Sequence, residues 1–67
     1  MYECEIYGKK FRRKDVTSIL REASRIANNF SNPTDKLTIT DTQGLHCEFT
    51  RTNKVYPNNT IERGKWR

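Results

Sequence analysis

The chain has 67 residues, enough for one domain, and only 33% of them are hydrophobic. At this size a domain buries about 60% of its unfolded surface, so a thick core is excluded and outside support becomes valuable. Thirteen Lys and Arg against eight Asp and Glu give a formal charge of +5, which suits nucleic acid or an acidic protein surface as partner.

The alternation of Tyr2, Cys4 and Ile6 with Glu3 and Glu5 predicts a half-buried strand. After Gly8 comes Lys9-Lys10-Phe11-Arg12-Arg13-Lys14, read as a basic loop leading into a helix. Cations beside a helix N-terminus oppose its partial positive charge. Their placement there is therefore better explained by an anionic partner than by folding. In that reading Lys9, Lys10, Arg12, Arg13 and Lys14 contact phosphates with help from the free amides of the first turn, and Phe11 stacks on a base. The alternative is a solvated loop with Phe11 turned into the core.

From Val16 the apolar residues Ile19, Leu20, Ala23, Ile26, Ala27 and Phe30 recur with a helical period. Asp15 is the expected N-cap, and Pro33 closes the segment. On the outer face Thr17, Arg21, Ser24, Arg25 and Asn28 form a polar stripe. Arg21 and Arg25 extend the cationic surface, against the plain reading of a solvated helix face.

Leu37 and Ile39 alternate with Thr38 and Thr40 as a further strand. Asp41-Thr42-Gln43-Gly44 has the residues of a tight turn. Leu45, Cys47 and Phe49 then alternate with His46, Glu48 and Thr50, completing a hairpin. Val55-Tyr56 predicts a short strand ended by Pro57, and Ile61 to Arg63 a last edge segment. The expected fold is α+β, a small two-layer sandwich of β-α-β-β-β order. Its one amphipathic helix packs on a mainly antiparallel sheet of 3–5 strands, and residues 1–67 form a single domain. Thr38, Thr40, His46, Glu48 and Thr50 then face away from the helix on an uncovered sheet surface, a candidate protein or homodimer interface.

At the C-terminal side Lys65 and Arg67 flank Trp66. They suit a single-stranded nucleic acid, with Trp66 as a stacking residue; the competing role for Trp66 is a lid on the core. Cys4 and Cys47 are expected inside as reduced, small hydrophobes, pairing only if their strands are adjacent. No cofactor or metal is implied, since a metal site needs four convergent ligands and the one histidine, His46, is expected to point to the opposite face from Cys47. His46 and Glu48 share a face, yet without a second histidine they make a weak case for acid–base cleavage of RNA, and no enzyme is expected. No apolar run has the length of a signal peptide or membrane span, so no membrane association and a cytoplasmic, reducing setting are expected.

These readings converge on a small non-enzymatic nucleic-acid-binding module of weak sequence preference. The second expectation is a protein-binding inhibitor or accessory protein docking on a larger acidic partner. In size and layout such a chain is similar to small phage-encoded anti-defence proteins.

Overall fold

Two strands precede the helix. A computed structural model describes all 67 residues. Strands β1 (Tyr2–Ile6) and β2 (Lys9–Arg13) are followed by helix α1 (Val16–Ala27), then by β3 (Thr34–Asp41) and β4 (His46–Thr52). A detached pair, β5 (Lys54–Val55) and β6 (Ile61–Glu62), closes the series. The main sheet runs β2-β1-β3-β4 and every pairing is antiparallel. The α+β sandwich is as expected, with one strand added before the helix.

That added strand is the expected basic loop. Tyr7 and Gly8 both have positive φ, 51° and 75°, which is the backbone of a two-residue hairpin turn whose twist matches its flanking strands. The turn folds Lys9–Arg13 back onto β1 in register, Cys4 opposite Phe11 and Glu3 opposite Arg12. Charge hid the strand, because no apolar alternation marks it.

Asp15 caps α1, its carboxylate accepting from the Ser18 amide at 2.8 Å. Its carboxyl is held below the ordinary range, chiefly by that bond. At the other end Arg63 donates to the carbonyls of Ala27 and Asn28, at 3.4 and 3.3 Å, the first of which also accepts from the Phe30 amide at 3.0 Å. Ile19, Ala23, Ile26 and Ala27 are buried against Cys4, Ile6, Leu37 and Ile39, and these residues form the whole core. Val16 and Phe30, expected in that face, stay exposed at 38% each.

The helix lies over β1 and β2 rather than over the centre of the sheet. Beyond β3, cover comes from the C-terminal segment. The Arg67 amide and carbonyl bond to Thr50 on the outer edge of β4. Gly64 passes so close that a Cβ would lie 2.0 Å from the Thr52 carbonyl oxygen. Only glycine fits there. Cys47 lies beyond this cover and is exposed, contrary to its expected burial. Cys4 and Cys47 also flank Ile39 on opposite sides. A strand therefore separates them, putting their backbones about 9–10 Å apart and out of disulfide reach.

The tight turn is as expected. Asp41 Oδ1 accepts from the Gln43 and Leu45 amides, both at 2.9 Å, and Gly44 takes φ 84°. No helix is long and apolar enough to cross a membrane.

Candidate anion-binding surface

Strand geometry divides the basic run between two faces, because successive side chains point oppositely. Lys10 and Arg12 stand on the face away from the helix. There they lie opposite Glu5 and Glu3, and Arg12 reaches Glu3 at 3.4 Å. The next positions across the sheet are Thr38 and Thr40, then Glu48 and His46. This face, which also carries Thr50, therefore alternates cation, anion and neutral group. It is uncovered, as expected, but balanced in charge.

Lys9, Phe11 and Arg13 share the helix side. Phe11 is half-buried against the core, with the Arg13 guanidinium 5.3 Å from its ring centre. Lys14 is exposed just before the helix.

Arg13 instead joins the outer face of α1. A groove there is lined by Arg13, Ser18, Arg21, Glu22, Ser24, Arg25 and Asn28. Glu22 is its single carboxylate. Arg25 binds it with two short contacts, Nε to Oε1 at 2.7 Å and Nη2 to Oε2 at 2.8 Å, and Arg13 approaches at 3.6 Å. The Arg25 hydrogen bonds lead in holding the Glu22 carboxyl below its ordinary range, against some burial, with the Arg25 and Arg13 charges adding to them. Arg21 has no carboxylate within ion-pair distance. The groove thus brings together three guanidinium groups and one acid, two of the three paired with Glu22 and Arg21 unpaired.

Beneath it lies a polar network that sequence reasoning missed. Asp35 is fully buried and accepts from Arg51 Nε at 2.6 Å, from Asn53 Nδ2 at 2.8 Å and from the Tyr7 hydroxyl. Arg51 continues to Asn28 Oδ1 at 3.0 Å and Ser24 Oγ at 3.4 Å, and its guanidinium lies 4.8 Å from the Trp66 ring centre. Trp66 Nε1 donates to the same Ser24 hydroxyl at 3.0 Å. Tyr7 also accepts from Asn32 and stacks on Phe30 with ring centroids 4.1 Å apart. No buried side-chain polar atom is left unpaired. Burial would raise the Asp35 carboxyl, but the bonds from Tyr7, Asn53 and Arg51, with the Arg51 charge, prevail and hold it below the usual range. The signal was present in the sequence. Asp35 continues the inward alternation of Leu37 and Ile39, and Arg51 that of Cys47 and Phe49.

This network commits Ser24 Oγ and Asn28 Oδ1 as acceptors, so the outer stripe offers donors and positive charge rather than free acceptors. It also fixes Trp66 as a half-buried lid. Lys65 and Arg67, with Thr50, Thr52 and Gly64, line a separate shallow surface beside β4. The cations expected to act together therefore occupy three places: the open face, the helix groove and the β4 edge. Comparison with protein-family models, with curated proteins and with solved structures finds no match to this chain.

Proposed function

We propose that the protein is a non-enzymatic nucleic-acid-binding module that holds phosphates in the groove of α1, through Arg13, Arg21 and Arg25, with exposed Lys14 just before the helix adding positive charge. The observation carrying this reading is the gathering of three arginines around one carboxylate. Planar guanidinium groups bind phosphate oxygens in pairs, and Arg21 is free to do so without breaking an internal ion pair. Contacts of this kind position a protein without reading bases, so binding is salt-dependent and tolerant of sequence. Lys10 and Arg12 contribute little, because Glu5 and Glu3 lie opposite them.

The test is fluorescence anisotropy with labelled single- and double-stranded DNA and RNA at about 50 and 200 mM salt. Micromolar binding that Arg21→Glu abolishes, and that Lys10→Glu with Arg12→Glu leaves intact, supports the groove. Loss through the strand variant alone would put the site on the open face.

A second reading follows from that open face. Its alternating charges and the threonines Thr38, Thr40 and Thr50 suit a protein partner of complementary pattern, as an inhibitor or accessory subunit would require. Substitution of Thr38 and Thr40 by Arg then blocks capture of the partner while leaving any nucleic-acid binding unchanged.

A further inference from the structure

The two edges of the sheet differ in chemistry. β2 presents Lys9, Lys10, Arg12 and Arg13, a density of like charge that repels a second strand of the same kind. From Leu45 to Thr50 the other edge reads Leu-His-Cys-Glu-Phe-Thr, without Lys or Arg. Thr50 directs both its amide and its carbonyl outward, to Arg67, at 3.0 and 2.9 Å. In an antiparallel ladder this alternates along the strand, so His46 and Glu48 also point their backbone groups away from β3. Those groups have no partner within the chain. Beside them Leu45 is 67% exposed and Cys47 is uncovered.

We propose that two copies of this chain join by antiparallel pairing of their β4 edges, centred on Cys47, into one continuous sheet. The segment is complementary to itself in that register. His46 of each copy lies opposite Glu48 of the other, and the outward backbone groups of these two residues supply the ladder hydrogen bonds. Leu45 lies opposite Phe49 of the second copy on the helix side. Cys47 faces its own equivalent as a non-hydrogen-bonded pair, the closer of the two pairings. Neighbouring registers fail. Centring on Glu48 sets carboxylate against carboxylate and places His46 at Thr50, where Arg67 already bonds. Centring on His46 requires Gly44, which has turned back toward Asp41. The two-fold axis is perpendicular to the sheet, so both helices, and both arginine grooves, lie on one side. The pairing does not depend on what those grooves bind.

Sedimentation equilibrium on the whole chain tests this interface. The expected mass is twice the 8.0 kDa of one copy. Glu48→Pro removes an outward amide without touching the bonds to β3, and an edge strand tolerates it. It should raise the dimer dissociation constant at least about tenfold with an unchanged circular dichroism spectrum. Glu48→Lys should weaken association, and His46→Glu combined with Glu48→Lys should restore it by setting Glu opposite Lys across the interface. A short bis-maleimide should join two chains through Cys47 as thioethers, and Cys47→Ser should abolish the product. A chain that stays monomeric at millimolar concentration, or a Glu48→Pro dimer as tight as the original, would overturn the proposal.

Discussion

Arg51 donates to the Asp35 carboxylate at 2.6 Å from the neighbouring strand, with 4% and 0% of the two side chains exposed. The pair sits where the Tyr7 turn, the end of α1, the Asn32–Pro33 connection and the Trp66 segment meet. In so thin a core it works as a junction, setting where each of these segments lies. Removing one member leaves an uncompensated buried charge. Arg51→Met should therefore cost about 3–5 kcal/mol in urea unfolding, whereas Asp35→Leu with Arg51→Met should recover much of that loss. Equal destabilisation by the single and double variants would show that the surrounding hydrogen bonds, not the ion pair, dominate.

Acid should undo the same junction. Despite its burial, the Asp35 carboxyl is held below its ordinary range by Tyr7, Asn53 and Arg51. A depressed group contributes fully above its unfolded value, about 3.9, and loses that contribution as pH falls through the folded value. Trp66, the single tryptophan, reports this directly by fluorescence. Asp35→Asn should flatten the dependence of stability on pH below about 4.

Tyr7 shapes the alkaline limb. Burial first, and then the bond to Asp35, push its phenol above the ordinary range. The contribution is complete below the unfolded value of about 10 and is lost as pH rises through the folded one. Tyr7→Phe should remove this limb in urea midpoints measured between pH 8 and about 11. An unchanged limb in that variant would assign it to another group.

Gly64→Ala should release the C-terminal segment, because the new methyl group would overlap the Thr52 carbonyl. The expected signs are a red shift of Trp66 emission and a loss of about 1–3 kcal/mol. Unaltered emission would mean that the segment shifts as a body without leaving Ser24.

Bound to duplex DNA, the arginine groove should make the logarithm of the affinity fall with the logarithm of salt concentration. Each phosphate contact removed should lessen that slope by about 0.9. Arg21→Gln is the cleanest case, since it breaks no internal ion pair. An unchanged slope would exclude Arg21 from the contact.

The helix, the β3–β4 hairpin and the Asp41–Gly44 turn were legible because apolar period, capping and turn chemistry agree at those places. β2 was not, because an edge strand can be mostly charged and Phe11 alone breaks its polarity. Asp35 and Arg51 followed the strand period but carried charge, and nothing local shows that two such residues will neutralise each other across a ladder. Cys47 followed the period too. Its exposure depends on where the helix lies, and sequence alternation records a face without recording what covers it.

The offset of α1 toward β1 and β2 leaves the molecule unevenly fastened. Opening of the Asp35 end must break the shared polar junction, so amides there should exchange with deuterium only on near-global unfolding. At the opposite end of a single copy, Asp41 to Cys47 are held by the turn and the β3 ladder alone, and local fraying should expose them far sooner than the Asp35 end. Within a single copy, one small sheet would then span a gradient of exchange lifetimes along β4, slow at Arg51 and fast at Cys47, whose amide is bonded to β3.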